Sequence, residues 1–93
     1  MNERRVVFMQ QFRYKIQDPV GIHARPAGLL AKQAVQYQSD VTISVDGKCG
    51  DVKRIFSLMG VAAKHGDTVT IEVKGTDEEK AAKELETFFK DNL

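Results

Sequence analysis

Cysteine occurs once in this 93-residue chain, proline and histidine twice each, and neither sign of charge prevails. The lone Cys49 excludes an intramolecular disulfide and any cysteine-rich zinc site, and it agrees with a reducing compartment. Taken alone it is a small residue in or beside a strand. Lys and Arg number 14 against 13 Asp and Glu, so no global field draws the chain to nucleic acid or anionic lipid. The first ten residues, MNERRVVFMQ, carry an apolar run of only four, far short of a signal-peptide core or a membrane span. A cytoplasmic protein with no direct membrane insertion is expected. His23 and His65 lack any metal-ligand spacing, so neither a metal nor another cofactor is expected.

What is present suits one compact domain over residues 1–93. Hydrophobic residues make up 42% and charged residues 29%, ordinary values for a globular chain. A chain of this size buries roughly 60–65% of its unfolded surface but is too small for a two-domain cleft, which places any chemistry on the surface. Phe12, Tyr14 and Ile16 alternate with Arg13, Lys15 and Gln17 as in a strand with one wet side, and Asp18, Pro19 and Gly21 break it. Ala27, Leu30, Ala31, Ala34 and Tyr37 follow helical spacing and predict a helix over residues 24–37. Val41, Ile43 and Val45 alternate with Thr42 and Ser44, and Asp46, Gly47 and Lys48 form a hairpin signal into a short second strand. Residues 53–64 read as a short helix, with Leu58, Val61 and Ala62 spaced to face a sheet. Val69, Ile71 and Val73 mark the last strand. Thr76 followed by Glu79 forms a capping box for a helix from about residue 77, with Ala81, Ala82, Leu85, Phe88 and Phe89 as its apolar stripe. The order βαββαβα with one-sided alternation predicts an α+β fold, an antiparallel sheet covered by helices on one face.

The stretch GIHARPAG, residues 21–28, carries the chemistry. Gly21 permits a tight turn, and Pro26 is tolerated in a first helical turn, where its missing N–H costs nothing. His23 therefore stands at a helix N-terminus. The free amides of Ala24 and Arg25, together with the positive end of the helix dipole, form an anion site to which the Arg25 guanidinium adds donors suited to phosphate. A histidine there is poorly placed to be a cation and well placed to carry an anion, its neutral ring acting as a nucleophile. Phosphoryl transfer needs mainly positioning and charge stabilisation, which such a set supplies. His65, in a Lys-His-Gly-Asp turn, is expected to be an exposed loop residue.

The GIHARPA segment, with the same element order around it across residues 9–93, resembles the active-site signature of the HPr family of histidine-containing phosphocarrier proteins in the bacterial phosphoenolpyruvate:sugar phosphotransferase system. The resemblance implies an open-faced β-sandwich, a four-stranded antiparallel sheet with three helices on one face. It further implies a phosphoryl carrier, rather than a complete enzyme, that accepts phosphate from enzyme I on His23 and passes it to enzyme IIA domains in sugar transport. Arg25 then stabilises the phosphate, Pro26 shapes the helix start and Ala24 contributes an amide. By spacing alone Ile55, Phe56 and Met59 suit either core or an exposed docking patch; the resemblance favours docking. Leu29 falls off the first helix's apolar stripe and extends the patch, while Lys32 and Arg54 are basic residues suited to steering acidic partners. A monomer is expected.

Three features depart from the family pattern. Arg54 stands where Gram-positive relatives carry a regulatory serine, which excludes serine-kinase control at that position; a cation there also opposes the helix dipole by about 0.3–1 kcal/mol, with Asp51 as a nearby offset. Val20 replaces a residue that is often polar beside the histidine. Residues 1–8 form an N-terminal extension in which Val6, Val7 and Phe8 are suited to lengthening the first strand. Two other functions compete with the carrier: a regulatory paralogue acting mainly by protein binding, and a sheet that binds single-stranded RNA. The second is disfavoured because Phe12 and Tyr14 share the core-directed phase, leaving no aromatic on the open face.

Overall fold

Period-two alternation fixes which side of each strand is dry, and the computed structural model, which describes residues 9–93, assembles those sides into one core. Seven elements follow in the order β1 (Gln10–Lys15), α1 (Ala24–Ala34), β2 (Asp40–Val45), β3 (Lys48–Asp51), α2 (Ile55–Gly60), β4 (Thr68–Lys74) and α3 (Glu78–Asn92). The strands form a single antiparallel sheet in the order β1-β4-β2-β3. In register, Ile71 of β4 lies between Phe12 of β1 and Ile43 of β2. Val41, Ile43, Val45, Val69, Ile71 and Val73 are buried, whereas Arg13, Lys15 and Thr42 of the opposite phase are exposed. The expected extension of β1 through Val6, Val7 and Phe8 falls outside the described residues.

All three helices cover the dry face: α3 packs on β1 and β4, α2 on β3, and α1 contacts both other helices. Phe89 sits at the centre of the α3 contact, meeting Phe12 and Tyr14 edge-on at centroid distances of 5.7 and 5.6 Å. Close approach decides the α2 contact. A Cβ on Gly50 would lie 2.6 Å from the Ser57 carbonyl oxygen and 2.7 Å from Val61 Cγ2, so only glycine lets the helix lie on β3.

Helix limits differ from the sequence reading for local reasons. α1 ends at Ala34 rather than residue 37, because Gln36 and Tyr37 donate to Gln33 and Ala34 in tight i to i−3 turns, although Tyr37 remains buried. α2 is shorter than residues 53–64. At its start, Asp51 Oδ1 accepts from Lys53 N and Asp51 O accepts from Arg54 N, which makes a turn of that stretch. At its end, Ala62 takes a left-handed φ of 56°. That conformation turns Ala62 outward, and Ala63 is buried against the core in place of it.

The Thr76–Glu79 capping box is not formed. Asp77 is the N-cap of α3, yet its side chain makes no cap bond. It instead accepts from Ser39 Oγ at 2.6 Å, Gln38 N at 2.9 Å and Ser39 N at 3.0 Å, tying the helix start to the α1–β2 loop. These donors, led by the Ser39 hydroxyl, hold Asp77 below the usual carboxylate range.

Candidate functional site

The site begins five residues before its histidine. Asp18 Oδ1 accepts from Val20 N at 2.8 Å and Asp18 O from Gly21 N at 3.0 Å, closing a turn, while Gln17 N and Asp18 N both donate to Leu93 O at 2.6 and 2.8 Å. Gly21 has φ +79°, and a Cβ on it would collide with the Ala63 carbonyl oxygen and Lys64 Cα. Ile22 N donates to that same Ala63 oxygen at 3.0 Å, and its side chain is buried. The loop is therefore pinned on both sides before the chain surfaces at His23.

His23 is the N-cap of α1, with extended φ −107° and ψ −176°. Its carbonyl accepts the first helical bond, from Ala27 N at 2.9 Å, but its ring makes no cap hydrogen bond. The side chain is 39% exposed. Ala24 and Arg25 occupy the first two helical positions, and their amides donate to nothing among the described residues. Pro26, third in the helix, is buried and supplies no donor. Its restriction on the preceding residue does not delay the helix, since Arg25 is already helical. Arg25 is exposed, with no ion-pair partner among the described residues. Two unpaired amides and an imidazole that makes no cap bond thus share one helix end, a geometry suited to anionic oxygens.

The sequence reading overlooked Asp18. Its Oδ2 lies 3.9 Å from His23 Nε2. The available signal was an aspartate opening a Pro/Gly-rich turn just before the histidine, which by sequence marks only the end of a strand. Val20 is exposed, and the polar contact to the ring comes from Asp18 instead. His65 is an exposed turn residue as expected, its Nδ1 lying 3.2 Å from Gln17 O.

The residues considered for docking divide into two groups. Phe56 is 85% exposed at the start of α2, while Ile55 and Met59 are half-buried and pack on the core. A Cβ on Gly28 would sit 3.6 Å from Ile55 Cδ1, so α2 begins against α1 about one turn past His23. Arg54 is exposed as the N-cap of α2 and makes no cap bond, with Asp51 holding the amide of Lys53 beside it. Ser57 directs its hydroxyl inward, accepting from Asp51 N at 2.9 Å. Leu29 and Lys32 line a groove of about 680 Å³ between α1 and α3, which contains neither Phe56 nor His23.

The PTS HPr component phosphorylation site family matches residues 10–91. The chain belongs to this HPr phosphocarrier family. Its relatives include the phosphocarrier protein HPr of Mycoplasma genitalium, 43% identical over 74 residues that span 78% of this chain and 84% of the relative. Among solved structures, a mycoplasma histidine-containing phosphocarrier protein superposes with TM-score 0.86 at 38% identity, covering 88% of this chain and 93% of that one. HPr from Bacillus anthracis follows at TM-score 0.81 and 33% identity, covering 87% and 96%. The four-stranded open sheet with three helices on one face is the family's fold. No helix among the described residues is long and apolar enough to cross a membrane.

Proposed function

We propose that this HPr-family chain is a cytoplasmic phosphoryl carrier: His23 takes a phosphoryl group from enzyme I of the phosphotransferase system and passes it to enzyme IIA domains. The observation that carries the reading is the exposed His23 ring at the N-cap of α1, free of any cap bond and adjacent to the undonated amides of Ala24 and Arg25. In this reading the ring is the acceptor, the two amides and the Arg25 guanidinium receive the phosphoryl oxygens, and Pro26 shapes the helix start. Phe56, with half-buried Ile55 and Met59 beside it, docks the partner and Arg54 steers acidic partners toward it, while Leu29 and Lys32 offer a second contact along the α1–α3 groove. The carrier acts as a monomer.

Incubation with phosphoenolpyruvate and enzyme I, followed by intact-mass measurement, tests the assignment. The wild type is expected to gain one acid-labile phosphate and pass it to an enzyme IIA domain, while His23→Ala gains none. Phosphate on the alanine variant, or no onward transfer from the wild type, overturns it.

A further inference from the structure

Resting on the carrier reading, we propose that His65 is a positioning residue for phosphoryl transfer: from the α2–β4 turn its ring holds the loop of residues 16–22 and so keeps His23 in place at the start of α1. The loop lies along residues 63–67. At one end Ile16 N donates to Asp67 O at 2.8 Å and Gly66 N to Ile16 O at 2.9 Å, while at the other Ile22 N donates to Ala63 O at 3.0 Å. Between these ends His65 Nδ1 lies 3.2 Å from Gln17 O. A carbonyl oxygen only accepts, so the hydrogen of this bond belongs to Nδ1. Gln17 N donates in turn to Leu93 O at 2.6 Å. Both backbone groups of Gln17 are thus held from outside the loop, immediately before the turn that opens at Asp18.

The turn that carries His65 is closed without it. Lys64 N donates to Asp67 Oδ2 at 2.9 Å and Asp67 N to Lys64 O at 3.0 Å, with Gly66 at φ +87° between them. His65 is exposed, so its ring contributes little to the core. Among the described residues, every other hydrogen bond that another segment makes to residues 16–22 runs from backbone to backbone, and His65 supplies the one from a side chain. Its replacement therefore loosens the loop and leaves the framework standing. The effect reaches His23 through the bond from Gly21 N to Asp18 O, which ties the loosened end to the residues just before the ring. Transfer depends on the ring meeting the incoming phosphorus with the amides of Ala24 and Arg25 beside it, and a small displacement slows such a step. Docking through Phe56 on α2 does not depend on the loop.

His65→Ala and His65→Asn test this as a pair, since asparagine Nδ2, like histidine Nδ1, is bonded to Cγ and donates. On the full-length, ¹⁵N-labelled, unphosphorylated chain, amide hydrogen exchange at Gly21 and Ile22 is expected to quicken about fivefold in His65→Ala, the worth of one hydrogen bond in an opening equilibrium. The melting temperature stays nearly unchanged. In uptake from phosphorylated enzyme I, kcat is expected to fall about fivefold with KM unaltered, and His65→Asn recovers both the exchange protection and the rate. Exchange and kcat unchanged in His65→Ala, a loss carried by KM alone, or an asparagine variant that recovers neither overturns the proposal. Exchange is read on the folded protein and needs no partner. A wild type that takes no phosphate therefore defeats the carrier reading, while the exchange comparison still decides whether His65 holds the loop.

Discussion

Above pH 10 the contribution of Tyr37 to stability should reverse sign, and replacing it with phenylalanine exposes the reversal. Tyr37, three residues past the end of α1, is only 6% exposed. Its hydroxyl donates to Glu84 Oε1 at 2.6 Å and accepts from Gln33 Nε2 at 3.1 Å, linking α1 to α3. Burial, followed by the bond to Glu84, raises its pKa from the usual 10.0 to about 12. The folded chain therefore holds this proton more tightly than the unfolded chain. The resulting stability is complete below pH 10 and is lost as pH rises toward 12. Two units correspond to about 2.7 kcal/mol when the loss is complete, and to about 2.3 kcal/mol at pH 12. At neutral pH, Tyr37→Phe removes a charge-assisted hydrogen bond whose acceptor, Glu84, can return to water, a cost of about 1 kcal/mol. Urea denaturation of both proteins across pH 7–12 should show the wild type ahead by about 1 kcal/mol at neutral pH, the curves crossing at about pH 10.7, and the variant ahead beyond it. In a Tyr14→Phe background, phenolate absorbance reports Tyr37 alone. A midpoint at 10 in the folded protein, or parallel stability curves without a crossing, would refute the argument.

Two further substitutions probe the site and its surroundings. Phe56→Ala should weaken binding of enzyme I or an enzyme IIA domain at least tenfold by calorimetry while leaving the melting temperature nearly unchanged, because a ring 85% exposed contributes little to the core; a large loss of stability with unaltered affinity would place the ring in the fold instead. Gly21→Ala should lower stability by about 2–4 kcal/mol in urea titration, combining the strain of a left-handed φ with a collision against the Ala63 carbonyl. It should also slow phosphoryl uptake, since His23 follows two residues later; an unshifted urea midpoint contradicts the pinned-loop account.

Features whose partners lie close in the chain were legible in the sequence. Alternation assigned the buried phase of β2 and β4 residue by residue, and the two-residue turn at Asp46 and Gly47 paired β2 with β3. His23 was placed correctly for the same reason: Gly21 and Pro26 bracket it within five positions and leave the chain few ways to start a helix. The helix limits were misread for local reasons, whereas the capping box lost to a distant competitor. Thr76 and Glu79 match a capping box locally, but Asp77 occupies the cap and spends its oxygens on Gln38 and Ser39 of the α1–β2 loop. Ala62 fits a helical stripe, yet the turn toward β4 puts it in a left-handed conformation and buries Ala63 instead.

Asp18, like Asp77, bonds partners distant in the chain, which explains why the histidine was easier to find than its environment. An Asp-Pro turn is locally indistinguishable from any other strand ending. What turns its carboxylate toward the ring is anchorage by Leu93, at the far end of the described chain, and the approach of residues 63 and 64 beneath Gly21. The helix start at His23 is thus specified by a short stretch, whereas the loop that leads into it is held by contacts from separated segments. Loss of the Leu93 or Ala63 carbonyl contacts should therefore loosen the loop before His23 while leaving the local signature intact. Changes within residues 23–26 should act directly on the anion site.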